Sequence, residues 1–409
     1  MATRTRVISQ NKAVYVTPTG WGDYAGAGTP LTGNSMISGH HLHRVDTFSF
    51  EMDLAGARQD VREFGQLARI GTVNLTEVNP TLSFGYFLGD GENELALGFQ
   101  KSTGTIGGVS SIGQMCSGQL TEDDILKERN IFLLTVAEGE DAFNETNASM
   151  ITNQNNHDVV GFGNCFVSSY SANFSVGEIP RADIEMQASN VVFYTGINSG
   201  LLNPSLDLEG ERTHTGIVQL PAPSSDIANL PLVLRPQDAS ITFNDGADGA
   251  SPIGGPTSFN DLPIQSASIE LPLAREVIEA LGNELAYAKL LEFPIDVTMN
   301  VSSLTRDFAS GALEYALTGT AENNKTNITL NITNDGAPAL TYVLSGAVLD
   351  NQSFSQGLDD NETVDLTFSA QIGGASTTDQ GLFFFPEATA PTFTVVSGTN
   401  NKLAAQPIS

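Results

Sequence analysis

Cysteine is scarce. Cys116 and Cys165 are the only two in 409 residues, and they form no CxxC pair. That excludes a zinc ribbon and a thiol redox motif, and in a reducing cytoplasm both thiols are expected to be free core residues. Cations are scarce too: Lys plus Arg number 18 against 47 Asp plus Glu, for a net charge of −29. A chain this acidic cannot hold nucleic acid by neutralising phosphates, although it can lie beside nucleic acid and repel it. Solubility and a saline habitat are the other readings of the acid excess. No apolar run approaches the roughly 18 residues of a membrane helix. The opening stretch MATRTRVISQNKAVYV lacks the apolar centre of a signal peptide. Without such a signal, Asn-x-Ser/Thr triplets such as Asn74-Leu75-Thr76 and Asn327-Ile328-Thr329 carry no weight as glycosylation sites.

Catalytic patterns are missing as well. No GxGxxG follows a strand, and no GxxxxGK[ST] or HExxH occurs. Gly108-Val109-Ser110-Ser111-Ile112 lacks the last glycine of a nucleophile elbow. The one histidine cluster is Gly39-His40-His41-Leu42-His43-Arg44. On a strand His41 and His43 share a face, but zinc needs three or four ligands, so a polar strand is the expectation. Asp90-Gly91-Glu92-Asn93-Glu94 and Leu358-Asp359-Asp360-Asn361-Glu362 lack calcium-loop spacing and read as solvated turns. No catalytic, cofactor-binding or metal residue is assigned, and no enzyme activity is expected.

What is present is β pattern. Gly 40 and Phe 22, with abundant Thr, Ser and Asn, favour strands and tight turns. Thr47 to Leu54 puts Phe48, Phe50, Met52 and Leu54 on one face. Thr81 to Leu88 alternates likewise, and Asn130 to Val136 reads as a more fully buried strand. Val167 to Phe174 and Ala182 to Met186 flank a turn at Gly177-Glu178-Ile179-Pro180. Short helices are predicted at Arg58–Phe64, Glu122–Arg129 and Ala274–Glu284, the last from Leu273, Val277, Leu281 and Leu285.

Size and composition imply more than one domain. The expected division is a first β domain at 1–197, a Pro-containing connector at 198–235, a second β domain at 236–375 and an extension at 376–409. Leu382-Phe383-Phe384-Phe385-Pro386 in that extension is too apolar to be left in water. The two domains repeat one order of blocks. Phe48–Leu54, then Val61-Arg62-Glu63-Phe64-Gly65, then Asn79-Pro80-Thr81 parallels Ala267–Leu271, then Ile278-Glu279-Ala280-Leu281-Gly282, then Phe293-Pro294-Ile295. Ser169–Gly177 with Ala182–Met186 parallels Gln352–Gly357 with Val364–Phe368. A duplication explains both order and spacing. Arg58, Asp60 and Arg69 either brace a local loop or pair with charges on a neighbouring chain.

Several phrases together resemble the tail tube, or major tail, proteins of long-tailed bacteriophages. They are Arg58-Gln59-Asp60-Val61, Phe64-Gly65-Gln66-Leu67-Ala68-Arg69-Ile70, the strand Pro80 to Leu88, Asn93 to Phe99, Gly161-Phe162-Gly163-Asn164, Ser168-Ser169-Tyr170-Ser171, Val176-Gly177-Glu178-Ile179-Pro180, and Gln352 through Ala370. The resemblance spans most of residues 1–375. It implies a mainly β fold of two similar β-sandwich or barrel domains, each with a short flanking helix, contributing strands to an inner β-barrel shared between subunits. It implies rings that stack head to tail into a conduit for DNA, a place in the virion tail and assembly in the host bacterial cytoplasm. Partners would be copies of the chain itself and other tail proteins, with DNA passing unbound and no membrane. A duplicated chain would close a ring from three subunits with pseudo-sixfold symmetry; six subunits are the alternative. A capsid decoration protein, an adhesin or a glycan-active enzyme are the rival readings.

Overall fold

The computed structural model describes residues 12–19, 35–53, 58–74, 79–104, 113–120, 128–136, 158–195, 201–206, 217–220, 234–235, 238–244, 263–279, 281, 288–304, 325–334, 337–355, 363–374, 377, 380–388 and 395–397. It is mainly β, built of large antiparallel sheets that do not close into a barrel.

The first part of the chain carries β1 (Lys12–Pro18), β2 (Ser35–Ser38), β3 (His40–His41), β4 (Val45–Glu51), β5 (Arg58–Val61), β6 (Gly71–Asn74) and β7 (Thr81–Phe87). Helices α1 (Glu92–Ala96) and α2 (Ser117–Leu120) follow, then β8 (Glu128–Thr135), β9 (Asp158–Ser175), β10 (Arg181–Gln187) and β11 (Asn190–Thr195). Two short strands, β12 (Leu201–Leu202) and β13 (Ile217–Gln219), lie between the parts. The second part carries β14 (Ala239–Asn244), β15 (Ile264–Pro272), β16 (Arg275–Ile278), β17 (Ala288–Leu291), β18 (Asp296–Leu304), β19 (Thr326–Asn334), β20 (Ala337–Ser355), β21 (Thr363–Gln371), β22 (Gly381–Pro386) and β23 (Val395–Ser397).

Two series of pairings run in the same order. In one, β4 pairs β7, β7 pairs β10, β10 pairs β9, β9 also takes β8 and β11, and β8 takes β1. In the other, β15 pairs β18, β18 pairs β21, β21 pairs β20, β20 also takes β19 and β22, and β19 takes β14. Two pairs of irregularities fall at matching places. The register slips after the first residue of the pairing at Val45/Thr47 in β4 and at Ile264/Ser266 in β15. It slips again where β9 passes from Ser169 to Val167 against β10, and where β20 passes from Asn351 to Leu349 against β21. A bulge adds one residue and re-aims the strand, so it serves as a positional landmark.

The alternation read in the sequence builds the core. Inward residues of β7, β9, β10, β15, β18 and β21, among them Phe84, Tyr170, Ile184, Ile269, Met299 and Phe368, are buried, while their sequence neighbours face outward. One large core spans both series; a smaller one joins Tyr15, Phe132 and Val159 to Leu201, Val218 and Leu220.

Several expectations are corrected. Arg58–Phe64 and the described part of Ala274–Glu284 are not helices: Arg58–Val61 and Arg275–Ile278 are the first strands of two hairpins, and residues 280 and 282–284 lie outside the described ones. Four apolar positions at helical spacing do not outweigh cross-strand pairing over so short a span. Glu128 and Arg129, assigned to the helix at Glu122–Arg129, open β8, and residues 121–127 lie outside the described ones. Asp90–Glu94 is not a solvated turn, because α1 begins within it and Glu94 is fully buried. The other acidic turn, 358–362, lies outside the described residues. Both described helices fall in the first part. In the connector, Asn203 is tied down: its Nδ2 donates to the Thr19 carbonyl at 2.7 Å, and Asn130 Nδ2 donates to its Oδ1 at 2.8 Å; residues 198–200, 207–216 and 221–233 lie outside the described ones. Leu382–Phe384, placed in the extension, form part of β22 and are buried.

Candidate assembly surface

The two series meet edge to edge. β9 and β15 pair antiparallel, with Phe174 opposite Ala267, Ser171 opposite Glu270 and Ser169 opposite Pro272. The front layer therefore runs without a break through β4, β7, β10, β9, β15, β18, β21 and the C-terminal half of β20. Its two ends are open: among the described residues, β4 pairs only β7, and the Asn351–Ser355 stretch of β20 pairs only β21.

One face of this layer is polar. It carries Ser, Thr and Asn side chains with the carboxylates of Glu51, Asp183, Glu185, Glu270, Asp296 and Asp365. Arg181 is its one cation among the described strand residues, and it is neutralised locally. Its Nη1 lies 2.7 Å from Asp46 Oδ2, and its Nε lies 2.8 Å from Asp183 Oδ1. A hollow of about 590 Å³ opens on this face between β9 and β21, lined by Asn173, Glu178, Asn300 and Asp365 among others.

Two hairpins project from the layer. β5 and β6 pair with Arg58 opposite Asn74, and β16 and β17 pair with Arg275 opposite Leu291. Both expose apolar side chains: Val61, Phe64, Leu67, Ile70 and Val73 on the first, Val277, Ile278, Leu281 and Leu290 on the second. Phe64 and Leu281 are fully exposed. The candidate contact residues lie on the first hairpin. Arg69 Nη1 donates to Asp60 Oδ1 at 3.1 Å, and Arg62 Nη2 approaches Asp60 Oδ2 at 3.7 Å. Arg58 opens β5; the structure joins it to Asp60 and Arg69 on one hairpin. Missing from the sequence reading are Arg275 and Lys289, which seat the second hairpin on the first series. Arg275 lies 4.7 Å over the Phe166 ring, and its Nη2 donates to Gln119 Oε1 at 3.0 Å. Lys289 Nζ donates to Asn79 Oδ1 at 2.8 Å and to Ser189 Oγ at 2.6 Å. Cations beside an aromatic residue far off in sequence are the kind of signal that only folding reveals.

Behind the layer lies a buried polar knot that spans the two series. The Tyr170 and Tyr342 hydroxyls sit 2.6 Å apart, and Tyr170 donates to Glu94 Oε1 at 3.4 Å. Burial pushes the Glu94 carboxyl up from its ordinary range; the nearby Arg44 pulls the other way and Asp90 adds to the rise. Both thiols are buried and pushed up by burial, Cys116 to about 12, as expected of inert core residues.

The histidine cluster is folded more tightly than its sequence implies. His40 Nε2 lies 3.7 Å from Glu92 Oε1, and His43 Nε2 lies 3.7 Å from Glu92 Oε2. Burial, then the neighbouring His43, pushes His40 down to about 4; burial and Arg44 lower His43, with Asp90 opposing. Glu92 is half-buried, and nothing in the local sequence marks it as a neighbour of the histidines.

No helix among the described residues is long and apolar enough to cross a membrane. No protein-family model matches the chain, and no curated protein matches it.

Proposed function

We propose that the chain is a structural subunit of a phage-type tail tube, made of two copies of one β fold, that polymerises by extending its own sheet. The observation that carries this reading is the β9–β15 junction. It joins the end of one series to the start of the next by a heterologous edge contact, and such contacts repeat into a ring where the rotation closes. Matching order of strands and matching bulges favour a duplication. On that reading β4 stands where β15 stands, and β20 stands where β9 stands. The open edge of β20 then accepts β4 of the next copy, as β9 accepts β15. Unblocked sheet edges pair in this way.

The bulges fix the register. Thr47 corresponds to Ser266, and Asn351 corresponds to Ser169. Glu270 opposite Ser171 therefore becomes Glu51 of one copy opposite Ser353 of another. Three chains supply six equivalent positions. The continuous polar face then lines the lumen, where carboxylates and hydroxyls repel or ignore a passing phosphate backbone. A second copy sharing the sheet of the first speaks for three chains rather than six, since a decorating domain would not lengthen the inner layer.

Cysteine cross-linking in Glu51→Cys/Ser353→Cys tests the seam. Opposed Cα atoms in an antiparallel pair lie about 4.5–5.5 Å apart, inside the roughly 4.4–6.8 Å that disulfides span. Oxidation is expected to yield a covalent ladder ending at three chains. Glu51→Cys/Gln352→Cys, with the second cysteine one residue off and so on the other face of the sheet, is expected to yield monomer. Electron microscopy of the assembled protein decides the rest: six chains per ring sinks the three-chain count, and protein that never leaves the monomer at high concentration sinks the tube.

A further inference from the structure

The assembly reading leaves His40, His43 and Glu92 unused. We propose that these three side chains form a binding site for one divalent transition-metal ion of the zinc type per chain.

The argument starts from geometry. One ligand atom from each residue lies within 4.8 Å of the others, and both histidine Nε2 atoms face Glu92 oxygens at 3.7 Å. Zinc bonds of 2.0–2.1 Å in a tetrahedron put neighbouring ligands roughly 3.4 Å apart, so each histidine stands a few tenths of an ångström from that spacing to one carboxylate oxygen, and the full set closes by side-chain movement of about 1.4 Å at most. The donors come from different parts of the chain. The histidines sit at the β3–β4 corner, and Glu92 opens α1.

The surroundings hold the ligands in place. The His43 backbone N–H donates to Asn93 Oδ1 at 2.9 Å, and Asn93 Nδ2 donates back to the His43 carbonyl at 2.8 Å. Asn93 is itself buried, so corner and helix are locked together one residue from Glu92. His41 Nδ1 lies 3.4 Å from His43 Nδ1, a partner for the ring nitrogen that points away from Glu92. A metal-bound imidazole ordinarily has such a partner on its other nitrogen, which fixes the ring and its tautomer.

The donor set chooses the ion. Two imidazoles and one carboxylate suit zinc, cobalt or nickel, whereas calcium and magnesium take oxygen shells. Three protein ligands leave a coordination position for water. The stoichiometry also follows: the chain has five histidines, none after His214, so the second fold cannot repeat the site. A bound ion would clamp the start of β4, one of the two open edges, to α1.

Isothermal titration of zinc into the full-length chain, stripped with EDTA, tests the proposal, with cobalt(II) absorption as the spectroscopic check. The expected result is one ion per chain, a higher melting temperature on loading, and affinity reduced by more than about tenfold in both His40→Ala and Glu92→Gln. Glu92→Gln keeps the size of the side chain, and circular dichroism confirms that each variant is folded. His157→Ala is expected to bind as the parent does. Failure of the parent chain to bind zinc, or unreduced affinity in either folded variant, overturns the site.

Discussion

The two projecting hairpins share one register and differ in their surroundings. At the base of the second, Arg275 and Lys289 are seated on Phe166, Gln119, Asn79 and Ser189 of the preceding series. The first rests on exposed charge pairs among Asp60, Arg62 and Arg69. On the duplication reading, the second hairpin has found its neighbour within the chain, and the first awaits the same neighbour from another copy. On the same proposal the internal contact is a template for the external one, and substitutions at matched positions should separate folding from assembly.

The sharpest matched pair is Phe50 and Ile269. Phe50 is 38% exposed on the open edge, while Ile269 is 1% exposed and paired on both sides. Ile269→Lys buries an unpaired charge and is expected to cost about 4 kcal/mol or more, enough to prevent folding. Phe50→Lys is expected to leave a folded monomer that makes no rings. Circular dichroism with electron microscopy reads both, and equal effects on folding would break the correspondence.

A smaller contrast is expected at the hairpin bases. Arg275→Ala loses a stacked, hydrogen-bonded cation and should lower monomer stability by about 1–3 kcal/mol in urea unfolding. Arg58→Ala, at the matched position, should leave that midpoint in place and slow assembly measured by light scattering. A large monomer effect at Arg58 would mean that this residue braces its own hairpin.

The pH dependence comes next. The Glu94 carboxyl is raised in the folded chain above its ordinary 4.5. The folded state therefore holds this proton more tightly than the unfolded state does. Its contribution to stability is full below about pH 4.5 and is lost as pH rises through the folded value. Glu94→Gln should flatten that part of the stability curve; an unchanged curve would show that Glu94 titrates normally. Smallest of all is Asp60→Ala. The pair with Arg69 is exposed, and monomer stability should change by less than about 0.5 kcal/mol.

The strands were legible wherever alternation had one wet face. Thr81 to Leu88 follows from its alternation, and Val167 to Phe174 and Ala182 to Met186 from the turn at Gly177–Pro180 that they flank; the structure has strands at all three. The hairpin strands were missed because Val277 and Leu281 lie on no buried face; both are exposed, so their spacing reported nothing about a core. The β9–β15 junction was out of reach, since long-range pairing leaves no local signature. For the same reason Glu92 was read as solvated. Its partners stand some fifty residues earlier, and only the fold of α1 against the β3–β4 corner brings them together. Arg58, Asp60 and Arg69 were picked out for charge near a strand, while Arg275, at the matched place, was passed over inside an expected helix.

β9 has a mechanical consequence. Its Asp158–Phe166 half is held by β8 and β11, and its Phe166–Ser175 half by β10 and β15. At about 3.3 Å per residue, this single strand of 18 residues runs for roughly 60 Å. It acts as a spar common to the front layer and to β8 and β11. A pull along the strand loads its flanking hydrogen bonds together, in shear, rather than peeling them one at a time. Strain entering at the β9–β15 junction is carried by covalent backbone to β8 and β11, so the front layer cannot slide without dragging those strands.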